Sequence, residues 1–133
     1  MSDRPPRRIK FVRSSLELLG PNHCLAKVEL ERDQDRSYVG TATGGNPDQE
    51  GLQVSARAAA DALMQAVGEK HLLEVHDVEV FDAFGQQAVL VHLAAQVQDR
   101  TQALMGFCVA GPDPTRAAAL AVLNAANRVL DVG

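Results

Sequence analysis

The sequence predicts an α+β fold of two βββα repeats related by pseudo-twofold symmetry, with antiparallel sheets and two alanine-rich helices. Three observations carry that prediction. First, one strand-turn-helix pattern occurs twice. The first copy is Val39-Gly40-Thr41-Ala42-Thr43-Gly44-Gly45, a longer polar loop, and Arg57-Ala58-Ala59-Ala60-Asp61-Ala62-Leu63-Met64. The second is Leu104-Met105-Gly106-Phe107-Cys108-Val109-Ala110-Gly111, a short polar turn, and Arg116-Ala117-Ala118-Ala119-Leu120-Ala121-Val122-Leu123. Self-similarity of this kind limits architecture more than any single residue does. Second, two segments alternate apolar and polar residues with period two, the mark of a strand. Third, the candidate strands are separated by short polar turns, which join antiparallel neighbours.

In chain order, Ile9 to Leu19 reads as a strand, with Ile9 and Phe11 on one side, Val12, Ser14, Leu16 and Leu18 on the other, and a bulge near Ser14-Ser15. Gly20-Pro21-Asn22 turns it. Cys24, Ala26, Val28 and Leu30 form one face of the next strand, and Glu31 to Arg36 makes a charged hairpin loop. Tyr38 to Thr43 is the third strand, broken by Gly44-Gly45-Asn46-Pro47-Asp48. Helical spacing of Val54, Ala58, Ala62 and Met64 predicts a helix from Gln53 to Val67, since alanine is the best helix former. Gly68 stops it.

The second half repeats this order. Leu72 to Phe84 is a strand with Glu74, His76, Val78 and Val80 on one face, turned by Gly85. Ala88 to Val97 follows, with Val89, Val91, Leu93, Ala95 and Val97 facing the core. Gln98-Asp99-Arg100 forms a hairpin into a sixth strand, Thr101 to Val109. Pro114 and the N-cap Thr115 open a last helix that runs to about Asp131.

Length bounds the domain count. At 133 residues the chain is a single domain, 1–133, with repeat one at about 9–68 and repeat two at about 72–132, and it buries roughly two thirds of its unfolded surface. Hydrophobic residues make up 46% and charged residues 23%, which places it among globular chains. Aromatics are only 4% with no Trp, so the core is built from Val, Leu and Ala. The net charge of −4 and the lack of aromatics among the basic residues of Arg4-Pro5-Pro6-Arg7-Arg8 argue against nucleic acid. No segment reads as a signal peptide or a membrane span, so the expected location is the cytoplasm.

Each chemistry-bearing residue also has a structural role open to it. Cys24 and Cys108 are too few for a metal or disulfide framework and read as small buried apolar residues. His23 lies beside a turn, His71 in a linker, and His76 and His92 in strands of one repeat, where pairing of those strands can make them cross-strand neighbours, a two-ligand set at most. None has ligand spacing, so no metal and no cofactor is expected. Asp61, Glu74, His76 and Asp77 are the acid-base candidates, and a solvated helix stripe or outer strand face accounts for all four. No Gly-x-Ser-x-Gly or triad pattern occurs. The turns at Gly44-Gly45 and Gly111 precede helices, where glycine provides turn geometry.

The doubled βββα order and the ending Ala117-Ala118-Ala119-Leu120-Ala121-Val122-Leu123-Asn124-Ala125-Ala126-Asn127-Arg128-Val129-Leu130 resemble the C-terminal regulatory domain of 2-isopropylmalate synthase. The resemblance spans roughly Ile9 to Val132 and is most specific in the last thirty or so residues. It implies a dimerising, leucine-sensing module, with the effector held near the interface between repeats. The synthase's catalytic barrel and metal ligands have no counterpart in this sequence, so the resemblance does not carry the reaction. Where that family enters its first helix through a Gly-Pro-Val-Asp-Ala-like turn, this chain has Asn46-Pro47-Asp48-Gln49-Glu50-Gly51-Leu52, and binding residues tied to the turn are not transferred.

The functional expectation is therefore a non-catalytic, dimerising module that binds a small carboxylate-bearing metabolite. The alternative is an interaction or scaffold subunit of a larger complex with no small-molecule ligand. Arg116, Asn124 and Asn127, with Asp131, form a polar stripe on the last helix. It reads either as an effector cleft, with Arg116 holding a carboxylate bidentately, or as solvated surface. Small faces at Ala58, Ala59, Ala62, Ala117, Ala118, Ala121 and Ala125, and apolar Leu25, Leu90 and Leu104 on outer strand faces, offer surface for a second copy.

Overall fold

A computed structural model describes residues 9–32, 36–68, 71–97 and 99–127. The elements run β1 (Lys10–Gly20), β2 (His23–Arg32), β3 (Arg36–Gly44), α1 (Pro47–Val67), β4 (His71–Ala83), β5 (Gln86–Val97), β6 (Arg100–Val109) and α2 (Pro114–Asn127). The class is α+β and the order is βββα twice over. Each repeat forms its own antiparallel meander, β1-β2-β3 and β4-β5-β6. The basic tip Arg4 to Arg8, the middle of the Glu31 to Arg36 loop, the side chain of His71, Gln98 and the Asp131 end of the last helix lie outside the described residues.

The two sheets share register in detail. Val28 of β2 stands opposite Gly40 of β3, and Val91 of β5 stands opposite Gly106 of β6. Each first strand carries a bulge at the same place: the ladder slips between Phe11 and Arg13 in β1 and between Val75 and Asp77 in β4. These bulges correct two expectations. In β1 the extra residue is Val12, not Ser14 or Ser15, and it brings Phe11 onto the same face as Ser14, Leu16 and Leu18. In β4 the extra residue is His76. Leu73 and Val75 before it and Val78 after it therefore share the inner face, and Glu74 and His76 do not belong with Val78. A bulge inserts one residue and so reverses the period-two phase.

α1 begins at Pro47, six residues earlier than Gln53. Asn46 is its N-cap, with Oδ1 accepting from the Asp48 backbone N–H at 2.8 Å. Pro47 then sits in the first turn, where its missing N–H costs nothing. The stretch expected to be loop is thus a start signal followed by helix. At the other end Gly68, at φ 95°, donates to the Met64 carbonyl at 3.0 Å. α2 begins at Pro114, and its cap is Asp113, not Thr115. Asp113 Oδ1 accepts from the Arg116 backbone N–H at 3.2 Å and from the Thr115 hydroxyl at 2.6 Å.

Each helix lies on its own sheet, the helices touch each other, and each reaches the first strand of the other repeat, α1 to β4 and α2 to β1. The inner residues Cys24, Ala26, Val28 and Leu30 of β2 and Val89, Val91, Leu93 and Ala95 of β5 are fully buried beneath them. The approach is closest at two glycines. A Cβ on Gly40 would strike the Ala58 carbonyl and the Ala62 nitrogen and stand 2.9 Å from Ala62 Cα. One on Gly106 would strike the Ala121 carbonyl and stand 2.8 Å from Ala125 Cβ. The alanine faces expected to receive a partner are therefore used inside the chain, because only hydrogen and methyl groups fit between helix and sheet. Among the described residues no helix is long and apolar enough to cross a membrane.

The open edges of β3 and β6 are met by helix side chains. Asp61 accepts from the Thr41 N–H at 3.0 Å, and Gln65 donates to the Val39 carbonyl at 2.9 Å. In the second repeat Asn124 Nδ2 donates to the Phe107 carbonyl at 3.2 Å. Asp61 stands one residue before Ala62 and Asn124 one before Ala125, so the same helical position serves each edge with opposite polarity.

Candidate functional site

Arg116 lies in the first turn of α2, exposed on its own repeat but directed at the other. Its guanidinium carbon is 5.3 Å from the centroid of the Phe11 ring on β1, within cation-π range. The contact joins the repeats at the edge of a depression of about 140 Å³ lined by Cys108, Gly111, Asp113, Arg116, Ala117 and Leu120. Asp113 is held below the usual carboxylate range, first by the Thr115 hydroxyl and then by the backbone N–H groups of Arg116 and Thr115 and the guanidinium of Arg116, with partial burial opposing. Burial pushes the Cys108 thiol up, and the Arg116 charge opposes that shift. An anion entering here meets a guanidinium, while an ammonium meets Asp113.

The other two residues of the expected stripe are placed differently. Asn124 is engaged with the Phe107 carbonyl, and Asn127 is exposed at the far end of α2. Arg116 and Asn127 stand about 16 Å apart along the helix axis at a rise of about 1.5 Å per residue. One small metabolite does not span them. Arg116 borders the depression described above.

A second site lies on the outer face of the β4-β5-β6 sheet. His76 and His92 are neighbours there, with ring centroids 5.4 Å apart and planes near perpendicular. His76 Nε2 is 3.4 Å from Glu74 Oε1, and Asp77 is the ladder partner of His92. A shallow depression of about 240 Å³ is lined by Asp77, Glu79, Leu90, His92 and Met105. Among the described residues no group of three or more His, Cys, Asp or Glu is arranged to hold a metal ion. Asp61, bound to the β3 edge, is on a different element from Glu74, His76 and Asp77, so the acid-base candidates do not converge.

The outer faces of the two sheets differ in chemistry. On β6 Met105, Phe107 and Val109 point outward and are 55%, 55% and 51% exposed, beside Leu90 and Ala88 of β5. The matching positions of the first sheet are Val39, Thr41 and Thr43 on β3 and Leu25 and Lys27 on β2, with Arg13 and Glu29 paired at 2.8 Å nearby. Leu104 does not belong to this outer surface. It pairs with Leu93 on the inner face and is buried. The signal that would have located the patch is the unbroken apolar run Ala103 to Ala110, since a strand apolar on both faces has two surfaces to cover.

Compared with known proteins, the chain matches no family model and no curated sequence.

Proposed function

We propose that the chain is a non-catalytic regulatory module that dimerises and takes a small carboxylate-bearing metabolite at the junction of its repeats, as the likeness to the 2-isopropylmalate synthase regulatory domain implies. The observation that carries this reading is the position of Arg116. It bridges from α2 to Phe11 of the other repeat and borders a depression that also holds Asp113. A carboxylate on the guanidinium and an ammonium near Asp113 are the two contacts an amino acid requires. Occupancy there would bear on how the repeats meet.

A thermal-shift screen over branched-chain and other amino acids tests the sensing half. A ligand at a hundred times its dissociation constant adds roughly 2.7 kcal/mol of stability, and no shift with any of them overturns it. Light scattering coupled to size exclusion tests the dimer, and a monomeric mass at high micromolar concentration overturns that half.

A second reading, an interaction subunit of a larger complex, is favoured by the outer face of the second sheet. More than half of Met105, Phe107 and Val109 faces water, and apolar patches of this kind mark partner surfaces.

A further inference from the structure

We infer that the outer face of the β4-β5-β6 sheet docks an amphipathic helix of a partner protein, its apolar stripe over β5 and β6 and a file of Lys or Arg along one flank facing β4. The inference rests on the interaction-subunit reading and is independent of metabolite sensing at Arg116.

The face is divided lengthwise. Toward β6 it presents Leu90, Met105, Phe107 and Val109, with the small residues Ala94 and Ala103 beside them. Toward β4 it presents Glu74, Asp77 and Glu79, all exposed, with His76 beside them and His92 at the midline on β5, and no Lys or Arg stands among the outward residues of β4, β5 or β6 between rows Glu74 and Phe81. Adjacent strands lie about 4.8 Å apart, so the apolar half is about one helix diameter wide. From Ala103 to Val109 it is about 20 Å long, the length of roughly thirteen helical residues.

The charge pattern suits a second copy poorly. A twofold axis centred on the face sets β4 over the β4 of the other copy or over its β6, and an axis displaced toward β6 leaves β4 outside the contact. The first brings carboxylates against carboxylates, the second buries them against Met105 and Phe107, and the third leaves them with no cation opposite. The outer face of the first sheet offers mixed charge and no apolar stripe. A helix with cations on one flank satisfies both halves at once. The apolar half ends near the β4-β5 turn, where Phe84 is fully exposed at φ 53°. With Gly85 at φ 76° it makes the two-residue hairpin turn, whose fit to the strand twist calls for positive φ at both positions.

The test uses two fluorescein-labelled peptides of fourteen residues with the same Leu stripe, one carrying Lys and Arg on the flank and the other Glu, titrated against the full chain by anisotropy. The cationic peptide is expected to bind at least about tenfold tighter, with an advantage that falls as salt rises. Phe107→Ser or Met105→Ser should weaken it about tenfold, and Asp77→Lys with Glu79→Lys should reverse the preference. These side chains are exposed, so unchanged circular dichroism and Tm separate lost binding from lost fold. Equal binding of the two peptides, no binding of either, or affinity untouched by both serine variants overturns the inference. So does a dimer that Phe107→Ser converts to monomer, which would assign the face to a second copy. A stoichiometric partner held on this face through an extended or anionic segment overturns the helix while leaving the interaction-subunit reading in place.

Discussion

Gly106 of β6 lies so close beneath Ala125 of α2 that a methyl group on the glycine would stand 2.8 Å from the alanine Cβ, and Gly40 has the same relation to Ala62 of α1. Replacing either glycine by alanine would gain about 0.4–1 kcal/mol from the unfolded chain. The opposing clash is with helix backbone, which cannot rotate away, and overpacking costs about 1–3 kcal/mol. The clash wins. Gly40→Ala and Gly106→Ala are each expected to lower stability in urea unfolding, and a Gly106→Ala chain as stable as the parent would show that helix and strand are not in this contact.

The two N-caps carry separate, measurable contributions. Asn46→Ala and Asp113→Ala should each cost about 0.5–2 kcal/mol, additively, since they cap different helices. Asp113 adds a pH dependence. Its folded pKa is depressed, so its contribution is present above the unfolded carboxyl value of about 3.9 and is lost as pH falls through the folded value. Asp113→Asn should therefore flatten the acid limb of the stability profile relative to the parent. Identical limbs in the two proteins would contradict the cap.

Edge protection predicts unequal responses at matched positions. Asp61→Asn keeps an oxygen acceptor for the Thr41 N–H and should be near neutral. Asn124→Asp sets a carboxylate against the Phe107 carbonyl and should cost about 0.5–1.5 kcal/mol. In Asp61→Ala, hydrogen exchange at the Thr41 amide should accelerate while the amides shared by β2 and β3 remain protected. Slow exchange at Thr41 in that variant would mean the bond is not formed.

Arg116 links the thiol chemistry to the proposed ligand. Burial raises the Cys108 pKa and the guanidinium restrains the rise, so the thiol should alkylate slowly with iodoacetamide at pH 8. Arg116→Gln should slow it further. Cys24, fully buried, should react only on unfolding. The same Arg116→Gln variant should lose any amino-acid-dependent thermal shift. A variant that keeps the shift places the ligand elsewhere.

The strand order, the inner faces of β2 and β5 and the glycine on each third strand were all legible in the sequence. The signals for them are local: alternation at Cys24 to Leu30 and Val89 to Ala95, and glycines before alanine runs. The early start of α1 was also legible in principle, because Asn46 followed by Pro47 is an N-cap followed by a first-turn proline. The glycines before it read as a strand break and mask that signal. The bulges at Val12 and His76 left no such signal. An extra residue shows itself only against the neighbouring strand.

By itself the sequence determined that two similar units alternate strand and helix and which side of each regular strand is apolar, since backbone sterics and side-chain period act within a few residues. Only the tertiary structure decided that Ala62 and Ala125 rest on glycine, that Arg116 reaches Phe11, that Asn124 holds an edge carbonyl while Asn127 stands at the far end of the helix, and that Leu104 lies on the inner face of its sheet. Those relations depend on how the sheets and helices dock across long separations, and close packing, which no local pattern encodes, selects among the ways they can.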